Sequence, residues 1–238
     1  MKHNSHLKQL RNISGLDYFL LGKNIDMPKK QFNIIQKPIM NYIRKHAPKG
    51  YDIVTSTTPK SKINEIVNRK SRIVAKQTGQ DINSVKRRLQ NELNMGSMHI
   101  PEFKILSLKT PFSELHEMGH AIDFKRHYKS DYNKLLKSHF KYRTVGNNLK
   151  SILGTAGLLS LLPRKTRKLA PFLLGGAYLS KVLAKYPTLR DEWKASAFAK
   201  KTAPNVSPEY AKRQNKVLNR AYTTYLKSAL VPNIVKYI

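Results

Sequence analysis

The sequence predicts a mainly α fold with a small β edge. Three observations carry that prediction: apolar residues recur at helical spacing along most of the chain, only one short segment alternates, and two apolar runs have the length of helices. The helical region opens at MPKKQFNIIQKPIMNYIRKH, where Phe32, Ile35, Ile39 and Ile43 fall on one face. APKGYDIVTSTTPKSK interrupts it with Pro48, Gly50 and Pro59. A second helix is expected over Lys62–Lys76, and a third begins near Thr78, carries Ile82, Val85, Leu89 and Leu93 on one face, and stops at Gly96. Lys86, Arg87 and Arg88 are expected on its outer side.

MHIPEFKILSLK alternates and is rich in β-formers, which predicts a strand over roughly Phe103–Leu108. A helix carrying SELHEMGHAIDF follows. Two apolar runs come next, SILGTAGLLSLLP and LAPFLLGGAYLSKVLA, separated by RKTRK. Each is shorter than the roughly 20 residues that a spanning helix needs. They therefore read as a paired hairpin, either shallowly inserted or resting on a membrane, or half-buried in a soluble protein. TLRDEWKASAFA and KVLNRAYTTYLKSALVPNIVKYI read as further helices, and residues 1–26 as irregular. The expected division is a basic, mostly helical region over 1–96 and a second domain over 97–238.

The chain has 238 residues, with 45 Lys and Arg against 14 Asp and Glu, a net charge of +31. A field of that sign attracts anionic lipid, nucleic acid or an acidic protein surface. The basic clusters Arg69-Lys70, Lys86–Arg88 and Arg164–Lys168 carry no helix-turn-helix, RNA-recognition or zinc-finger signature, so nucleic-acid binding, if present, is not sequence-specific. With no cysteine, disulfides and thiolate chemistry are excluded, and a metal would have to be held by His and carboxylates. The apolar run Tyr18–Leu21 is too short for a secretory signal, while the basic N-terminus leaves a mitochondrial presequence open.

His116 and His120 stand at i and i+4, so on a helix both imidazoles leave one face and can grip a single ion, with Zn²⁺ the natural choice. Glu117 lies between them as a carboxylate that can take a proton from an attacking water and return it to a leaving amine. A chance HExxH is expected in roughly one chain of this composition in a hundred, so the motif needs a third ligand. The acids supply one. Glu114, Glu117, Asp123, Asp191 and Glu192 gather in two short stretches of an otherwise acid-poor chain. Glu192 would face the metal, with Ala195 and Ser196 keeping its helix face slim. Gly119 would let the two helices approach, since a mid-helix glycine costs about 1 kcal/mol and signals close packing.

HEMGHAI, followed by an apolar hairpin and then TLRDEWKAS, resembles the YugP-type neutral zinc metallopeptidases, which are membrane-associated and marked by HExGHA and a later ExxAS segment. The resemblance covers roughly Thr78–Leu230, with AYTTYLKSA echoing a tail motif and KILSL a strand before the first motif. It implies a zincin-like domain of the gluzincin kind: His116, His120 and Glu192 as zinc ligands, Glu117 as catalytic base, and Tyr225 near the site. Glu114 departs from the uncharged residue usual there, and residues before about 75 match nothing in the pattern. Lethal-factor-type toxins share a shorter HExGHAxD pattern, a precedent for Asp123, which could orient an imidazole or simply face solvent.

The expectation is thus a zinc metallopeptidase acting on protein or peptide at or near a membrane, its substrate backbone added to the strand near Phe103–Leu108. The rival is a basic structural or assembly protein of a virion or other particle that keeps the fold and binds nucleic acid or anionic membrane. Asp191 is an alternative third ligand in a shifted helix. His46, His99, His127 and His139 are expected at the surface or an interface, and Tyr222 and Tyr225 either pack or donate to an oxyanion.

Overall fold

The computed structural model describes residues 29–230, which are mainly helical with one three-stranded sheet. The readings for residues 1–26 and for the end of the tail lie outside the described residues. Helices are α1 (Lys29–His46), α2 (Lys60–Thr78), α3 (Ile82–Asn94), α4 (Glu114–Tyr128), α5 (Tyr132–Leu159), α6 (Ala170–Val206) and α7 (Pro208–Leu230). The strands are β1 (Asp52–Thr55), β2 (Met98–Ile100) and β3 (Ile105–Leu108). They divide into two units: one runs to Tyr132 and resumes over Trp193–Tyr222, and the other takes Asn133–Glu192 and the chain from Thr223.

In the first unit the sheet order is β1-β3-β2, with β3 parallel to β1 and antiparallel to β2. The alternation noticed around Phe103–Leu108 belongs to a strand that starts later, at Ile105, and lies in the centre. Its neighbours were missed because DIVT sits among turn residues and MHI is only three residues long. Both faces of β3 are covered, and all four of its residues are buried. Leu106 and Leu108 join α1, α4, α6 and α7 in one core, while Ile105 joins α2 and α3 in another. This corrects the expected substrate edge, because hydrogen bonds to β1 and β2 occupy both sides of β3.

The helix boundaries follow local chemistry. Gly79, at φ +66°, closes α2 with its N–H on the Ala75 carbonyl, and Thr78 Oγ1 donates back to Val74. Asp81 starts α3 by accepting from the Ser84 N–H, so that helix begins after the expected Thr78. Two of the basic clusters have internal partners. Arg69 and Lys70 meet Asp52 at 2.7 and 3.0 Å, and Arg88 meets Glu102 at 2.6 Å while lying over Phe103, rather than facing outward.

The motif helix α4 is a core helix: Glu114 through Gly119 are all buried. Acidic residues in its first turn and Lys125, Arg126 and His127 in its last suit the helix dipole. Glu114 is completely buried, and its two carboxylate oxygens accept from the Gln36 amide of α1 and the Tyr210 hydroxyl of α7. Burial raises its pKa above the carboxylate range, partly offset by those hydrogen bonds. The residue that departs from the zincin pattern thus anchors α4 to two other helices through its hydrogen bonds.

The second unit contains the predicted hairpin, formed by α5 and the first part of α6. The two helices meet closely at small residues: a Cβ on Gly146 would lie 2.6 Å from Ser180 O and Ala184 N. His139 and Arg190 both hold Asp191, at 2.9 and 2.7 Å. Among the described residues, no helix is long and apolar enough to cross a membrane.

Replacing Glu114 with Ala is expected to lower stability by about 2 kcal/mol or more, because the buried Tyr210 hydroxyl and the half-buried Gln36 amide lose their acceptor. Glu114→Gln should recover part of that loss. Urea unfolding followed by circular dichroism measures both.

Candidate metal centre

The site begins with the turn between β3 and α4. Ser97 Oγ accepts from the N–H groups of Lys109 and Thr110, and the Ser113 hydroxyl donates to the Thr110 carbonyl at 2.9 Å, which fixes the entry into α4. Phe112 adopts φ +64°, a conformation uncommon for a bulky residue, and its side chain is buried against Tyr210. Local strain is therefore offset by packing at the start of the motif helix.

On α4 the two histidines project together as the spacing requires. Their Nε2 atoms are 3.0 Å apart, with the rings edge to face. Two nitrogens on a tetrahedral zinc with bonds of 2.0–2.1 Å would be about 3.3 Å apart, so only a small adjustment separates the two arrangements. His116, His120 and Glu192 each offer a donor atom within 4.8 Å of the others. His116 and Glu192 are buried and His120 is partly so. The donor set of two imidazoles and one carboxylate suits zinc and leaves room for a further ligand.

The approach of α6 is set within the first unit. A Cβ on Gly119 would lie 2.8 Å from both the Cα and the carbonyl oxygen of Ala195, so backbone meets backbone there. Ala195 and Ser196, the two small residues expected to keep this face slim, are both buried, and the fully buried Ala199 and Ala203 extend the face at four-residue spacing. Glu192 lies one helical turn before Ala195, so the same contact fixes its reach. Ser196 does more than keep that face small: its Oγ is 3.2 Å from His116 Nδ1. With Nδ1 engaged there, His116 presents Nε2 toward His120 and the shared position.

Glu117, on the same turn of α4, is buried at 4% exposure. Asp123 pairs with His127 at 2.7 Å and with Lys194 at 3.2 Å. Asp191, the alternative ligand, is committed to His139 and Arg190. Burial would raise its pKa, but those partners outweigh burial and hold it below the ordinary carboxylate value. Tyr225 is buried on α7, and Tyr222 is partly buried on the same helix.

One residue expected at the surface or an interface stands beside the site instead. His99 of β2 lies with its ring parallel to His120, centroids 6.4 Å apart, and close to Phe124. Tyr51 OH lies 2.8 Å from His99 Nε2. Burial, with His120 second, holds His99 well below the usual imidazole pKa, and burial raises the pKa of Tyr51. No local pattern identifies this pair, because Tyr51 precedes β1 and His99 lies in β2, and the two meet only because both strands pair with β3.

Gly119→Ala is expected to force α4 and α6 apart, lowering stability by about 1–3 kcal/mol and weakening metal binding. Thermal unfolding with and without added zinc separates the two effects: a variant with parental affinity for zinc would show that the helix contact does not set the ligand geometry.

No family model, no curated protein and no solved structure matches this chain.

Proposed function

We propose that this protein is a zinc-dependent metallopeptidase of the gluzincin type. The observation that carries the reading is the convergence of His116, His120 and Glu192, with Glu117 buried one residue from His116. The resemblance of HEMGHAI and TLRDEWKAS to the YugP-type metallopeptidases supports the same reading.

His116, His120 and Glu192 would hold the ion, which when bound polarises a carbonyl and makes water more acidic. Ser196 orients His116 from the far side of its ring. Glu117 accepts the proton of the water that attacks the peptide carbonyl, as the new C–O bond forms. It then delivers that proton to the nitrogen as the C–N bond breaks, so that acid and amine products leave with atoms balanced. An extended substrate would add to the sheet at β2, an edge strand that packs against α4, with backbone hydrogen bonds giving modest selectivity. Tyr51 and His99 would border that substrate.

The +31 charge favours a second reading, a basic assembly protein that retains the metal centre without turnover. The two separate on metal content and cleavage. Purified protein is expected to carry about one equivalent of zinc, His116→Ala to lose it, and Glu117→Gln to keep it while cleaving an unstructured peptide about a hundredfold more slowly or worse. Parent protein without bound zinc would overturn the metal centre. Zinc retention with no difference between parent and Glu117→Gln would favour the assembly role. Chelation should abolish cleavage and added zinc restore it.

A further inference from the structure

The chemistry proposed above leaves the α5–α6 hairpin unused. The side chains that it buries are small, Gly146, Gly157, Ala177 and Ser180 among them: a Cβ on Gly157 would lie 2.9 Å from Leu174, and one on Gly146 would meet Ala184 and Ser180. Large apolar side chains consequently point outward. Leu149, Ile152 and Leu159 fall at helical spacing along α5, and Phe172, Leu179 and Tyr186 at seven-residue steps along α6, all of them exposed, Phe172 by 79%. A helix pair folded for water buries its large residues and exposes polar ones. Here that order is reversed.

The charge around this surface identifies the partner. Between Asp131 and Asp191 the sequence has 12 Lys and Arg and no acid. Arg164, Lys165, Arg167 and Lys168 cluster at the exposed tip, whereas Arg69, Lys70 and Arg88 have carboxylate partners within the fold. Burial, followed by the nearby charges of Arg143 and Lys181, holds the Lys185 ammonium below its ordinary range, so the hairpin already crowds positive charge. A second copy would bring the same cations against it. Nucleic acid would neutralise the charge and leave the apolar stripe exposed to water, whereas anionic lipid satisfies both.

The length sets the mode. Each apolar run of about a dozen residues rises about 18 Å as a helix, against roughly 30 Å of hydrocarbon, and cations stand at both ends. We propose that the hairpin docks on an anionic lipid surface, lying in the interfacial plane with Ile152, Phe172 and Leu179 among the acyl chains and the 164–168 cations at the headgroups. This inference is independent of the metal centre.

Vesicle flotation of the full chain tests it. Binding to phosphatidylglycerol–phosphatidylcholine vesicles is expected to exceed binding to phosphatidylcholine alone by about tenfold or more. Serine at Ile152, Phe172 and Leu179 together should cost at least about tenfold in affinity at unchanged helicity. In a Trp193→Phe chain, Phe172→Trp reports insertion directly: its emission should shift to the blue on vesicles and be quenched by brominated acyl chains. Equal flotation of the serine variant, or emission unchanged on binding, would reduce the contact to charge alone and overturn the proposal. So would emission already blue-shifted without lipid, which means that the protein covers this face itself, or self-association abolished by the serine changes with no flotation by the parent.

Discussion

The close passage of α4 and α6 at Gly119 and Ala195 is the constraint on which the candidate centre depends. Imidazoles at i and i+4 can be supplied by any helix, but the carboxylate must come from elsewhere, and its side chain is short. With a Cβ at position 119, the two backbones could not approach as they do, since the added atom would lie 2.8 Å from Ala195 Cα and O. Glu192 and Ser196 flank Ala195 on the same helix, so one contact brings the carboxylate toward both histidines and the hydroxyl to His116 Nδ1. The alanine stripe that continues through Ala199 and Ala203 keeps the helix at that separation.

A contact of this kind holds only if α4 itself is fixed. The helix is buried along its first turns, which requires that its polar residues be satisfied. Glu114 shows how: the Gln36 and Tyr210 donors tie three helices together at the start of the motif. On the opposite side the covered sheet supports it, with Leu106 and Leu108 in the α4 core and Ile105 in the core under α2 and α3. The few acids of this basic chain are thus spent on specific tasks. Asp52 holds the buried Lys70, Glu102 holds Arg88, Asp191 holds His139 and Arg190, and Glu114 anchors the site helix.

The hairpin follows a different logic. Glycine and alanine on its inner face allow tight helix contact but bury little large apolar surface, which leaves Leu, Ile and Phe on the outside. In water that arrangement costs free energy, roughly 25 cal/mol for each Å² left exposed. An acid-free run carrying 12 cations makes the same surface unfavourable for self-association, and the proposed docking on anionic lipid would relieve both costs.

The sequence by itself determined the local features: helical periodicity, the break at Pro48–Pro59, the i,i+4 histidines, the slim face after Glu192 and the apolar hairpin. Each depends on neighbours within a turn or two, where spacing fixes direction. It misjudged what depends on distant partners. DIVT and MHI are too short to announce themselves, so β3 read as an available edge when pairing on both sides makes it central. Arg88 read as an outer cation until Glu102, 14 residues away, claimed it. His99 and Tyr51 carried no signal, because 48 residues separate them and the sheet alone brings them together beside His120. Only tertiary structure decided these, for a physical reason: a side chain's direction is local, but its partner is chosen by the packing of the whole unit.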